Sequence, residues 1–305
     1  MRAPSPARAF FTAIRRGAPW DAAWFFAPML RDRAAVWLTV PGASALLCRE
    51  DTECLFSLPT AVNEAASGAL VDAMLRAARD WGCERITGPV SPAAYDFCRG
   101  LRIEGFQTPF DHTRCPGLME ALGRRGFETG PVYDLFSLEW DEGVAQRQRR
   151  LADEVTRRFS LRSETFLGLG GDGAARAMAA ISVHDGDMRL DARQARALFL
   201  SLGRALDRRL SQIVFRGEEP VACVLAVRKG RRLRVVTAQV VPSMRRMGVT
   251  AVLAAPFLDA MRPCGGLELG VISEDNLPSL ACVRALGAVV TARYALLERS
   301  LKEFR

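Results

Sequence analysis

The sequence predicts a mixed α/β (α+β) fold built as two tandem copies of one mixed-sheet unit. Three observations carry that expectation. Segments of helical spacing alternate with β-branched runs, with glycine between them, through most of the 305 residues. An internal repeat links Gly126, Tyr133 and Leu135 to Gly287, Tyr294 and Leu296 at a constant offset of 161. Charge is divided unequally: residues 1–140 carry 15 Arg against 16 Asp and Glu, and residues 141–305 carry 27 Lys and Arg against 18 Asp and Glu. The halves therefore hold −1 and +9 of the formal +8, and all five Trp lie in the first. The expected domains are 1–140 and 141–305, close to the usual domain size of about 150 residues.

The elements follow in order. Arg2, Arg8, Arg15 and Arg16, with no acid before Asp21, read as a helix and a Pro-containing turn rather than a targeting segment. Leu70, Val71, Met74, Leu75 and Ala78 mark a helix over 67–82, which Gly82 stops. Residues 85–90 read as a strand, 101–115 as a loop, 117–124 as a short helix and 131–139 as an alternating strand. An Arg-rich helix covers 144–159 and another helix 191–208. Strands at 212–216, 220–228 and 233–241 are separated by turn residues; Pro242 ends the third. A helix over 247–262, a strand over 267–272, a short helix over 277–286 and a strand over 288–298 complete the chain. The helix–Gly–strand units 68–90 and 248–272 correspond as well, at an offset nearer 182, which places an insertion around 91–112.

Composition narrows the chemistry. Lys229 and Lys302 are the only lysines and neither lies in a Schiff-base or P-loop setting. His112 and His184 are too few for a three-histidine metal site, so no metal is expected. The eight Cys form no C-x-x-C pair, and in a chain of this size they read as buried hydrophobes of a reducing, cytoplasmic protein. No apolar run approaches the roughly 20 residues that span a bilayer, so no membrane partner is expected.

The informative stretch is 240–250, Val-Val-Pro-Ser-Met-Arg-Arg-Met-Gly-Val-Thr. A β-branched strand runs into proline, and a glycine-containing turn then opens a helix. A helix start leaves N–H groups without partners and the positive end of the dipole behind them. Gly248 allows close backbone approach, and Arg245 and Arg246 add charge, which suits a pyrophosphate.

Arg245-x-x-Gly248-x-Thr250 after Val240-x-Pro242 resembles the acyl-CoA-binding signature of the GNAT N-acyltransferase superfamily. Asn276-Leu-Pro-Ser279 and Leu286-Gly287 resemble that family's second landmark, and the likeness covers about 205–300. It implies two tandem GNAT-like domains and acetyl-CoA or another acyl-CoA as co-substrate. Backbone amides of Arg246, Met247, Gly248, Val249 and Thr250, with Arg245, would then hold the pyrophosphate. Main-chain groups of Ala238 and Val240 would hold the pantetheine arm, with Asn276 near it. The implied activity is acyl transfer by direct attack of an amine, small molecule or peptide, on the thioester. The alternative is a catalytically inactive CoA-binding or structural protein.

Three departures bear on that implication. Thr250 stands where the family has Gly or Ala, Val283 where it often has a general-acid Tyr, and Ala288 where Phe follows Leu-Gly. Glu218, Glu219 and Glu268 are available as a base, and Glu268, on the strand beside the expected cleft, is the choice. The first half also resembles a GNAT fold: Gly88-Pro-Val and Glu104-Gly-Phe-Gln-Thr-Pro-Phe110 are similar to a segment of tandem members. Residues 58–68, LPTAVNEAASG, hold no matching cradle, so this copy is expected to be degenerate.

Other motifs have plainer readings. Gly168-x-Gly170-x-x-Gly173 lacks a preceding apolar strand, since 162–165 is polar, and reads as a loop. The basic run 228–234 reads as a hairpin with a solvated face; a nucleic-acid platform would interleave aromatics. Cys282 reads as buried filler.

Overall fold

A computed structural model describes residues 34–90, 100–105, 115–184, 190–202, 205–264 and 266–302. The expected helix at the N-terminus and most of the expected insertion around 91–112 lie outside the described residues. The chain divides into two compact units, Met1–Asp134 with Ala292–Arg305, and Leu135–Thr291.

Unit 1 opens with an antiparallel meander, β1 (Ala34–Val40), β2 (Ala43–Glu50) and β3 (Glu53–Ala61). Helix α1 (Glu64–Asp80) follows, started by Asn63, whose side chain accepts from the Ala66 N–H at 2.9 Å. Its Leu70, Val71, Met74, Leu75 and Ala78 are buried, as their spacing predicts. Each such large apolar side chain contributes about 1.5–3 kcal/mol. Gly82 takes the left-handed conformation after the helix, φ +68°, and the chain returns as β4 (Arg85–Gly88), parallel to β3. Then come β5 (Leu101–Gly105), α2 (Leu118–Gly123) and β6 (Glu128–Leu138). The last strand, β12 (Val289–Ser300), pairs antiparallel with β4 and β5 through its part within this unit. Strand β5 is a correction to the expected loop at 101–115. Only Leu101 of its five residues is buried, so no alternation marks it.

Unit 2 contains α3 (Glu142–Phe159), β7 (Leu161–Thr165), α4 (Phe166–Ser182) and α5 (Ala192–Leu202). A second antiparallel meander follows, β8 (Gln212–Arg216), β9 (Glu219–Lys229) and β10 (Arg232–Val240). Helix α6 (Val249–Met261), parallel strand β11 (Leu267–Ser273) and α7 (Leu277–Ala285) complete it, with the ends of β6 and β12 that fall in this unit. Strand β9 is buried from Val221 to Val227, as a central strand requires. Two expectations change. The polar segment 162–165 is strand after all, because β7 is the edge strand and turns polar residues to water. The glycine-rich 168–173 is not a loop. It lies inside α4, where only Gly170, at φ +69° and ψ 168°, interrupts the helical conformation.

Two stretches of the chain, from Ala34 to Leu138 and from Gln212 to Ser300, share one connectivity. In each, a three-stranded antiparallel meander leads through a helix to a parallel fourth strand, then through a second helix and a left-handed glycine to a long strand. Gly126 and Gly287 occupy that glycine position at φ +72° and +81°. Tyr133 and Tyr294 are then buried alike on β6 and β12.

Candidate functional site

The site lies in unit 2, where β10 and β11 part. Their parallel register holds over Leu233–Leu267, Arg234–Glu268 and Val235–Leu269 and ends there. Strand β10 remains paired with β9 to Val240, with a register shift between Val235 and Thr237. Beyond the bulge its other edge no longer has β11 as a partner, so a linear amide-containing ligand would find main-chain groups there. Ala238 and Val240, expected to hold such a ligand, lie on this stretch. Ala238 is exposed and Val240 half-buried.

The chain leaves β10 through a 3-10 turn, Pro242–Met244, and enters α6 at Gly248. Four features favour an anion. Gly248 is the N-cap and gives no side-chain hydrogen bond to the first turn, which also lacks an acidic residue. Arg246 and Gly248 both adopt left-handed backbone, φ +63° and +78°, at the turn into the helix. Arg245, Arg246, Met247 and Thr250 are exposed, whereas Val249 is buried and anchors the helix. The first N–H groups of any helix have no acceptor within it.

Two predicted residues also have a structural part in the loop. The glycine at 248 is required on the side facing α3: a Cβ there would come within 2.9 Å of Val155 Cγ2. Arg245 braces the loop, donating from Nε to the Val240 carbonyl at 3.1 Å and from Nη2 to the His184 carbonyl at 3.4 Å.

Glu268 departs furthest from its expected role. It is 3 % exposed, and its Oε2 accepts from Arg234 Nε at 2.8 Å and Nη2 at 2.6 Å. Arg234 is buried as deeply. A general base must reach the proton it takes. This carboxylate is committed to its neighbour strand just below the point where the strands part. Asn276 is the N-cap of α7, accepting from the Ser279 N–H at 3.2 Å. Val283, in the expected acid position, is buried. Cys282, expected as buried filler, is exposed.

The corresponding place in unit 1 is built differently. Strand β3 passes to α1 through Val62 and Asn63 alone; the Asn63 side chain caps the helix and Glu64 puts an acid in its first turn. The parallel β3–β4 register also ends after three pairs, at Leu55–Thr87. There the gap is bridged: the Val90 N–H donates to the Phe56 carbonyl at 2.9 Å and the Ser57 hydroxyl to the Val90 carbonyl. Sequence reasoning saw the missing glycine motif here but not this bridge.

No family model and no curated protein matches the sequence. Solved structures are similar in fold. A tandem GNAT protein from the clavulanic acid biosynthesis pathway is 15% identical, with 95% of this chain and 92% of that one covered and a TM-score of 0.57. The chain has a GNAT-like fold. L-PGS from Bacillus licheniformis shares that likeness at 10% identity, 99% and 94% coverage and a TM-score of 0.54. A GCN5-related N-acetyltransferase from Sphaerobacter thermophilus does so at 15% identity, 98% and 94% coverage and a TM-score of 0.50. Among the described residues of this GNAT-like chain, no helix is long and apolar enough to cross a membrane. No group of three or more His, Cys, Asp and Glu there could hold a metal ion.

Proposed function

We propose that the protein is an acyltransferase that moves an acetyl or other acyl group from acyl-CoA to an amine acceptor, a small molecule or a peptide. The observation that carries this reading is the uncapped start of α6 set at the mouth of the β10–β11 opening. Backbone amides from Arg246 to Thr250 would hold the pyrophosphate, with the exposed Arg246 side chain adding charge. Main-chain groups of Ala238 and Val240 would align the pantetheine arm, and Asn276, fixed as a cap, would border it. Arg245 acts by holding the loop.

Acyl-CoA, as co-substrate, brings an activated thioester carbonyl. The acceptor nitrogen, after its ammonium form has lost a proton, attacks that carbon; the C–N bond forms, the C–S bond breaks, and the sulfur leaves as thiolate and takes up the second proton released by the nitrogen. The chain contributes chiefly orientation and N–H donors toward the developing oxyanion. The ammonium proton goes to water, because Glu268 is paired with Arg234.

We also read the chain as a duplication, with a cofactor-free domain over 1–140 and the acyl-CoA domain over 141–305. The shared connectivity and the Asn63 cap of unit 1 support this. The alternative, a binding protein without transfer, draws on Val283, which has no proton to give. Calorimetry with CoA, acetyl-CoA and longer acyl-CoAs tests the reading. Binding followed by transfer to a member of an amine panel supports it, binding without transfer favours the inactive CoA-binding alternative, and no binding to any of them leaves only a structural role.

A further inference from the structure

Pro256 lies inside α6. A proline there has no N–H for the carbonyl four residues earlier, and its ring pushes that carbonyl outward. The carbonyl is that of Val252, and Val252 is buried. An orphaned buried carbonyl is costly, and such breaks bend helices. The break falls one turn from the uncapped N–H groups of Gly248 to Thr250, so a bend at Val252 would tilt the very turn that faces the β10–β11 opening.

The sheet supplies the missing donor. Gln212, 3 % exposed at the start of β8, directs Nε2 to the Leu253 carbonyl at 3.0 Å and to the Val252 carbonyl at 3.5 Å. Gln212 is itself held on both sides: it faces Val224 of β9 and Thr165 of β7 in register. It therefore offers a rigid donor where the helix lost its own. We infer that Gln212 is a positioning residue that fixes the first turn of α6 by donating to the carbonyls at the break Pro256 makes, that of Leu253 foremost. The inference rests on the acyl-CoA reading for what that turn binds, but the bond itself does not depend on it.

The pair predicts a specific rescue. Gln212→Leu keeps the bulk and removes the donor. Pro256→Ala restores the helix's own N–H, so the donor is no longer needed. Melting curves and CoA calorimetry would be recorded for wild type, Q212L, P256A and the double variant. The expected result is a lowered melting temperature for Q212L and, at a temperature where it is fully folded, a roughly fivefold or greater loss of CoA affinity. The double variant should recover most of both. Additive losses in the double variant would overturn the bond. A lowered melting temperature with unchanged CoA affinity would reduce Gln212 to a structural residue and overturn its positioning role. Should Q212L alone fail to fold, a folded double variant supports the bond and an unfolded one refutes it. A wild type that binds no CoA overturns the reading of the cradle, and with it the positioning role, while the coupling in melting temperature still decides whether the bond exists.

Discussion

Arg234 and Glu268 face each other across the parallel β10–β11 register and join by two hydrogen bonds, 2.8 and 2.6 Å, in the buried interior of the sheet. They form the last polar tie before the strands part. Buried ion pairs of this kind add little net stability over an apolar pair, but removing one partner strands the other charge.

Glu268→Ala should therefore destabilise the protein by about 3–5 kcal/mol. Replacing both residues, Arg234→Met with Glu268→Leu, should recover much of that loss. Thermal melting with calorimetry measures both. Loss of turnover in E268A with an unchanged melting temperature would instead restore Glu268 to the catalytic role.

Gly248→Ala should cost about 1–2 kcal/mol for the left-handed backbone alone. It costs more from contact with Val155, whose Cγ2 would lie 2.9 Å from the new methyl group. Adding Val155→Ala relieves the contact but not the backbone strain, so the double variant should recover only part of the stability. CoA affinity, followed by calorimetry, should fall in both, because relaxing the strain moves the amides of the first turn.

Asn63→Ala in the equivalent turn of unit 1 should cost about 1 kcal/mol, the usual worth of a capping side chain. CoA affinity should not change. A loss of CoA binding in this variant would place a second cradle in unit 1, contrary to the cap and the Glu64 charge found there.

The elements with strong periodicity were legible in the sequence. The α1 spacing of Leu70, Val71, Met74 and Leu75 and the Pro242–Gly248 approach to α6 both reappear in place. Strand β5 was not legible because four of its five positions are exposed. Strand β7 is hidden in the sequence because its polar residues suit an edge, and edge position is a property of the whole sheet. The site was legible as a turn but not as a network. Glu268 is 34 residues from Arg234, and only the parallel register makes them neighbours. The proline in α6 was visible in the sequence. That Gln212 answers it depends on the placement of a strand 41 residues from Leu253.

The cysteines differ sharply in expected reactivity. Burial, with smaller contributions from Cys83, Cys48 and Glu53, pushes the Cys54 thiol up to about 12. The thiolate is the nucleophile, so Cys54 should resist alkylation near pH 8 in the native state. Among the described cysteines, exposed Cys282 should react first. Mass spectrometry of peptides after timed iodoacetamide labelling distinguishes them. Early labelling of Cys54 without unfolding would contradict its buried position.

Acid stability should depend in part on Asp72. Its carboxyl group is lowered from the ordinary 3.8, chiefly by its hydrogen bond from Arg125, whose Nε and Nη2 donate at 2.5 and 2.7 Å. The same arginine ties α1 to the segment after α2, where Arg299 donates to its backbone carbonyl. A carboxyl lowered in the folded state binds fewer protons there than in the unfolded chain. Its contribution is thus present above 3.8 and is lost as pH falls through the lower folded value. The Asp72 side chain is 47% exposed, so solvent screening holds the contribution below about 1 kcal/mol. Asp72→Asn should accordingly lower the melting temperature slightly at pH 6, and the difference should shrink as pH falls below 3.8. A difference that persists undiminished at pH 2 would show that packing of the side chain, rather than its charge, is what matters.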